Sequence, residues 1–434
     1  MPHPTRVRYM VVASATVTSL MLYLDRNCLS QAMPLIQRDL TISDVDAAWI
    51  LGAFYLPYAL FQVPSGWFSD RFGARIMLAF YVAAWSLFIG LTGLAVGTVM
   101  LFALRLLLGV AQAGAYPTSG ALLSKWIPVT QRGSASSVVV FGGRIGGAIA
   151  PVLTAWLTAM ALGNWRVPFY LYGLLGIASA YFFWWSYRDK PETHPHCNAD
   201  EVNLIQRGIP PSNSQRRSGD EWRLFLALIT SPSMWLMCIS QCSTNIGWVF
   251  LVTLLPSYLD KAHNITGVQN GFLSGMPLTI GIVGTLIGGP LTDIATKRLG
   301  VRWGRALPLG LTRFIAALAY VMCLLTDNPY LIVSALCLMA IGTDLGIAAT
   351  WAFMQDIGGR YVASCLGWGN MFGNFGAFIA PPLLVWVSKT SPTTYNWNAA
   401  FTVCTIAFLI SGFSSLGINA THPIMPDDVE PSAV

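Results

Sequence analysis

The chain has 434 residues, of which 54% are hydrophobic and only 10% charged, with a formal net charge of +6 and a mean hydropathy of +0.57. A water-soluble protein of this size needs more polar surface, so the composition excludes a soluble globular enzyme and indicates a polytopic membrane protein. The eight cysteines lie mostly in apolar stretches without metal-ligand spacing, and the five histidines (His3, His194, His196, His263, His422) all fall in loops or tails. No disulfide framework, metal site or cofactor is expected, and no P-loop or nucleophile elbow supports an enzyme.

The basic start (Arg6, Arg8) runs into a long apolar segment with no short signal core or cleavage site, so the first span is read as uncleaved. Inside it stand Tyr23-Leu24-Asp25-Arg26-Asn27-Cys28-Leu29-Ser30. A charge at the centre of a membrane helix costs ~2.5–3.5 kcal/mol even on lenient scales, so Asp25 and Arg26 are expected to face protein interior or a water-filled path. Adjacent helical residues point ~100° apart, so each needs its own partner. Two readings stand: a structural ion pair, or a functional pair in which Arg26 attracts an anion and Asp25 exchanges a proton.

Further apolar stretches long enough for ~30 Å of hydrocarbon begin near Trp49, Arg75, Thr98, Ser136 and Asn164, and then near Thr230, Gly267, Arg305, Pro329, Tyr361 and Asn396. With the first, near Tyr9, these make six spans and six. The expected fold is an all-α membrane protein of twelve transmembrane helices in two pseudo-symmetric six-helix bundles. Residues 1–187 form the first bundle, 188–228 a cytoplasmic linker, 229–419 the second bundle and 420–434 a tail. Arginines and lysines crowd the termini, the linker (Arg207, Arg216, Arg217) and the even-numbered loops, whereas the outer loops hold only Arg38, Arg166, Lys261 and Lys389. The bias places both termini in the cytoplasm and explains the net charge without a nucleic-acid partner.

Between spans two and three, Gly66-Trp67-Phe68-Ser69-Asp70-Arg71-Phe72-Gly73-Ala74-Arg75 has a weaker echo between spans eight and nine in Gly289-Pro290-Leu291-Thr292-Asp293 and Lys297-Arg298. Spans five and eleven align without a gap: Gly142-Gly143-Arg144-Ile145-Gly146-Gly147-Ala148-Ile149-Ala150-Pro151 against Phe372-Gly373-Asn374-Phe375-Gly376-Ala377-Phe378-Ile379-Ala380-Pro381. Duplicated halves imply a pseudo-two-fold axis and a site near mid-membrane.

The Gly66–Arg75 pattern resembles the loop motif of the major facilitator superfamily. Asp25-Arg26-x-x-Leu29-Ser30-x-Ala32-x-Pro34, Arg105 to Pro117, and Asn370-Met371-Phe372-Gly373-Asn374 further resemble its anion:cation symporter branch, which includes sialin and the galactonate, hexuronate and glucarate carriers. The resemblance implies a secondary active transporter of small organic anions, sugar acids such as hexonates or hexuronates, working by alternating access with protons as coupling ion. An uncoupled or sodium-driven carboxylate facilitator is the alternative, and a non-transporting membrane sensor of carrier fold a distant one. It implies a monomer in the inner (plasma) membrane of a bacterium, in contact with lipid.

The same resemblance assigns residues. Arg26 binds the substrate carboxylate, and Asp25 takes part in proton coupling. At Gln112 the family has a glutamate that carries a proton; glutamine fixes the protonated acid's hydrogen-bonding role and cannot ionise. Arg105, seven residues earlier on one face, either joins the coupling group or belongs to a cytoplasmic-side network. Arg144 binds a second acidic group of the substrate or offsets Asp25. Tyr23, Tyr58, Gln241, Asn245, Thr350, Trp351, Asn370 and Asn374 complete a pocket for a polyhydroxylated acid, or else serve as interfacial aromatics and helix-tying amides. Gly66, Asp70, Arg71, Gly73 and Arg75 form a conformational latch, with Asp70 capping the following helix or pairing with a basic residue or neighbouring span. Asp344 lies inside span ten, where it is a candidate for the carboxylate missing at Gln112. Asp356, beside Gly358-Gly359-Arg360 at the inner boundary, reads as a loop-capping or salt-bridge residue.

Overall fold

A computed structural model describes residues 4–206, 220–265, 267–388 and 395–425. Arg207, Arg216, Arg217, Lys389 and the last nine residues of the tail lie outside the described residues. Helices account for the fold, and no strand occurs among the described residues. Nine stretches are long and apolar enough to cross a membrane; two of them, Phe272–Leu324 and Pro329–Ser388, are interrupted at Gly300 and Gly359 and so hold two spans each. With the short apolar helix Trp49–Leu60 the spans among the described residues number twelve.

The helices run α1 (Val7–Leu40), α2 (Asp44–Gly52), α3 (Tyr55–Leu60), α4 (Gln62–Phe72), α5 (Ala74–Thr92), α6 (Thr98–Ala113), α7 (Ala115–Trp126), α8 (Arg132–Met160) and α9 (Arg166–Ser186). They continue with α10 (Ala199–Gln206), α11 (Asp220–Thr230), α12 (Pro232–Val249), α13 (Leu255–His263), α14 (Gly267–Leu324), α15 (Pro329–Leu345), α16 (Ile347–Gly358), α17 (Val362–Ser388) and α18 (Trp397–Leu416). The breaks have identifiable causes. Pro57 and Pro117 lack the N–H that would bond four residues back, and the second and fourth spans part just before them, at Ala53-Phe54 and at Gly114. Ahead of Pro256 the seventh span relaxes into a π-turn over Phe250–Leu254. Ser231 and Asn328 cap α12 and α15, each followed by proline at the first helical position.

The chain divides into two compact units. Unit 1 comprises Met1–Pro128, Val138–Ile209 and Arg360–Gly367; unit 2 comprises Val129–Ser137, Pro210–Gly359 and Trp368–Val434. In unit 1, α5 and α9 approach at Gly90 and Gly173, where a Cβ on Gly173 would meet the opposite backbone, and Tyr170 Oη donates to the Gly93 carbonyl at 2.7 Å. In unit 2, Phe250, Tyr320, Phe401 and Phe408 are fully buried together, with the Tyr320 hydroxyl donating to the Gly247 carbonyl. Ser240 and Thr244 meet Ser411 at 2.9 and 2.8 Å, tying spans seven and twelve by buried hydroxyls.

The aligned glycines of spans five and eleven do equivalent work. A Cβ on Gly146 of α8 would run into the Leu20 carbonyl of α1, and one on Gly376 of α17 into the Cys242 carbonyl of α12. The close approach is made once within each unit.

Candidate functional site

In unit 1, Tyr23 and Arg26 share one face of α1, three residues apart. The Arg26 guanidinium lies 5.0 Å from the Tyr23 ring centroid, 4.6 Å from Phe54 and 4.5 Å from Tyr58, with Phe54 and Tyr58 stacked on each other. Its Nε and Nη2 find no hydrogen-bond partner among the described residues. Aromatic faces stabilise the cation without using up its in-plane donors. Asp25 turns the other way, as the ~100° step requires. It is fully buried, its Oδ2 accepts from Trp85 Nε1 of α5 at 3.1 Å, and its Oδ1 has no hydrogen-bond partner among the described residues. Asp25 and Arg26 are therefore not a mutual ion pair.

Span four lies along the same turns of α1. Gln112 Nε2 donates to the Leu22 carbonyl and Arg105 Nη2 to the Arg26 carbonyl, both at 3.3 Å. Residues seven apart on α6 thus meet carbonyls four apart on α1. Arg105 belongs to the Arg26 cluster, not to a network at the helix ends. Gln112 is fully buried with Oε1 lacking a partner among the described residues. Beside them, a Cβ on Gly143 would touch Ser19, Tyr116 and Tyr23, and Tyr23 meets Tyr116 edge-on at 6.2 Å. Arg144, half-buried, follows Gly143 on α8. Tyr55, a turn from Tyr58, is 58% exposed and meets Phe54 edge-on at 5.4 Å at the rim of the cluster.

Unit 2 assembles amides. Asn245 Nδ2 donates to the Gln241 carbonyl at 2.9 Å, and Asn374 Nδ2 to the Asn370 carbonyl at 2.8 Å, the same backward turn on α12 and α17. Gly373 of α17 faces Asn245 and Gln241, and Gly369 faces Gln241 and Met354 of α16. Thr350 and Trp351, both buried on α16, lie within a turn of Met354; the Thr350 hydroxyl donates to its own helix at Gly346. Gln241, Asn245, Asn370 and Asn374 all remain half-buried.

Of the partners read for Asp70, the structure shows a neighbouring span and not the following helix. Its carboxylate accepts from the Ala363 and Ser364 amides at 3.1 and 2.8 Å and from the Ser364 hydroxyl, capping the start of α17 within unit 1. The following helix, α5, is held instead by Asp189, which accepts from the Arg75 amide at 3.1 Å next to Gly73 at φ 91°. Gly66 lies so close to the Ala363 carbonyl that a Cβ would collide with it. Arg71 stacks over Trp67, and Arg75 Nε donates to the Trp184 carbonyl. Burial pushes the Asp70 carboxyl up to about 6, against the bonds from Ser364 and Ala363 and the charge of Lys125.

The echo repeats this within unit 2. Asp293 accepts from the Gly133 and Ser134 amides at 3.0 and 2.9 Å and from the Ser134 hydroxyl, at the start of α8, while Gly289 lies against Gly133 and Ser134. Behind it Asp356 binds Arg132 Nη1 at 2.7 Å and Arg305 Nε at 2.8 Å. Two more cations are buried here, Arg305, which the sequence places at the start of span nine, and Arg313, which the sequence analysis did not single out. Arg305 is fully buried, and Arg313, 3% exposed, enlarges the intramembrane positive charge beyond Arg26, Arg105 and Arg144. Arg313 is a lone charge in an apolar run from Ala306 to Cys323, a visible signal.

The model of the Major Facilitator Superfamily matches residues 15–381. The chain is 28% identical over 421 residues to the probable sulfoacetate transporter SauU of Cupriavidus necator, covering 95% of this chain and 94% of that one. It is 28% identical to the probable galactarate/D-glucarate transporter GudP of Bacillus subtilis (92% and 89% covered) and to the hexuronate transporter of the same species (93% and 92%). Among solved structures, the fucose:proton symporter FucP of Escherichia coli superposes with a TM-score of 0.68 at 13% identity, covering 94% of this chain and 98% of that one.

Proposed function

The chain belongs to the Major Facilitator Superfamily, a family of multi-pass membrane transporters and not of enzymes, and from that premise we propose that it carries sugar acids by alternating access. The carrying observation is Arg26, caged by three aromatic rings with two guanidinium nitrogens unengaged among the described residues. A planar fork held by its faces is organised for a carboxylate. The relatives' names support the acid class: galactarate, glucarate and sulfoacetate carry two acidic groups, hexuronates one. Arg144 is the residue we assign to a second acid. The unit 2 amides, with Thr350 and Trp351, suit hydroxyl recognition.

Asp25 is the proton-coupling group in this reading. It is an intramembrane carboxylate with one oxygen on Trp85 and the other without a hydrogen bond among the described residues, in a site where charge is costly. Gln112 fixes the neutral form of the family acid, and Arg105 orients the α1 backbone beside it. Asp70 and its motif form the latch. Both termini are assigned to the cytoplasm of a bacterial inner membrane, and the protein to a monomer with halves 1–187 and 229–419 joined by linker 188–228 and followed by tail 420–434.

Uptake of labelled D-glucarate, glucuronate, galactonate and sulfoacetate into proteoliposomes with an imposed pH gradient tests the reading. Wild type concentrates at least one sugar acid, and Arg26→Lys loses that uptake because a point charge cannot replace the fork. Concentration of sulfoacetate alone would replace the sugar-acid class. Equilibration without concentration, converted to concentration by Gln112→Glu, would make the protein a facilitator.

A further inference from the structure

Unit 2 holds a second acid and base inside the membrane, apart from the Arg26 cluster. Arg313, on the part of α14 beyond Gly300, and Asp344, one residue from the end of α15, are 3% and 1% exposed. Arg313 Nη1 donates to the Thr343 carbonyl at 3.0 Å, and the charge of Asp344 acts on the guanidinium. Glycines make the room: a Cβ on Gly281 would come to 2.9 Å of Asp344 Oδ2, and one on Gly346 to 3.2 Å of Arg313 Cζ. Arg313 Nε has no hydrogen-bond partner among the described residues. Burying an acid and a base is costly, and apolar side chains of similar volume in their place are often neutral or stabilising, so stability gives no reason for these two charges.

Its place in the repeat gives one. Span ten breaks at Gly346, two residues after Asp344, as span four breaks at Gly114, two residues after Gln112. The position that holds a non-ionising amide in unit 1 holds an acid in unit 2. We propose that Asp344 is a proton-carrying site of the transport cycle, with Arg313 as its counter-ion. Arg313 is the charged group facing it from span nine; span eight presents Gly281. Taking up a proton from water neutralises Asp344 and releases Arg313 from it, leaving the guanidinium on the Thr343 carbonyl; returning the proton to water restores the pair.

The inference rests on the proton-driven sugar-acid reading, and its test separates the two. With D-glucarate as probe, each coupled proton supports about tenfold concentration per unit of pH gradient, one pH unit and a tenfold equilibrium being the same free energy. Asp344→Asn is expected to lower concentration about tenfold per pH unit while glucarate exchange across the membrane persists. Undiminished concentration in Asp344→Asn overturns the proposal. Should Asp344→Asn fail to fold, the double variant with Arg313→Gln removes the stranded cation; absence of exchange in a folded double variant assigns the pair to structure and overturns it too. A substrate-free infrared titration of the purified protein, read as the difference between wild type and Asp344→Asn, is expected to show a carboxyl gaining a proton across the pH range that drives transport. A carboxylate that stays ionised throughout overturns the proposal even if glucarate is not the substrate.

Discussion

Asp70 in unit 1 and Asp293 in unit 2 perform the same act on different foundations. Each ends an even-numbered span, each accepts two backbone amides and a serine hydroxyl at the start of a long helix, and each follows by four residues a glycine pressed against that helix. A carboxylate there meets the orphan amides and the positive end of the helix dipole. Behind Asp293, however, Asp356 holds Arg132 and Arg305 in a buried double ion pair, and Arg305 also donates to Thr296 and to the Val129 carbonyl. Behind Asp70 the charge of Lys125 acts on the carboxylate. The Asp293 cap thus carries a second, ion-paired layer, and the Asp70 cap is expected to open the more easily.

The largest effect is expected where the second layer is broken. Asp356→Ala strands two buried guanidinium groups, and losing one partner of a buried pair costs about 3–5 kcal/mol. Thermal unfolding of the detergent-purified variant is therefore expected well below that of wild type; an unchanged midpoint would remove the second layer from the comparison. Next come the caps themselves. Asp70→Ala and Asp293→Ala each forfeit a cap worth about 1–2 kcal/mol. Hydrogen exchange of the Ala363 and Ser364 amides in the first is expected to quicken more than that of Gly133 and Ser134 in the second, because only the second cap is backed. Equal acceleration would show that the ion pairs do not reinforce it.

A smaller effect is set by pH. Burial raises the folded Asp70 carboxyl to about 6, above its value in an unfolded chain, so its charge is carried at a cost near neutrality. That cost is relieved as pH falls through 6 towards the ordinary carboxylate range, and stability rises over this window. Asp70→Asn is expected to abolish the rise; its persistence would assign it to another group. The smallest effect concerns Glu201 of α10. Burial pushes its carboxyl up, but the Thr5 hydroxyl, the Arg8 and Val7 amides and the Arg8 guanidinium hold it below the usual range. Its stabilising contribution is present above the ordinary glutamate value and lost as pH falls through the lowered one. Glu201→Gln is expected to flatten the acid limb of the unfolding curve below about pH 4.

The twelve spans, their duplication and the acid–base neighbours of span one follow from the sequence, because hydrocarbon enforces apolar length and makes every intramembrane charge conspicuous. The divergence of Asp25 from Arg26 follows as well, from helical geometry alone. Arg313 was equally visible as a lone charge, and only its partner needed the fold. What tertiary structure alone decided is where each polar group finds its complement: Asp70 at Ala363 and Ser364, 293 and 294 residues away, Trp85 on Asp25, and Gln112 and Arg105 on carbonyls of α1 four residues apart. Such pairings depend on which helix faces which and at what height. Local sequence fixes a helix and its apolar face, but a buried donor or acceptor is satisfied by whichever group packing brings within hydrogen-bond reach.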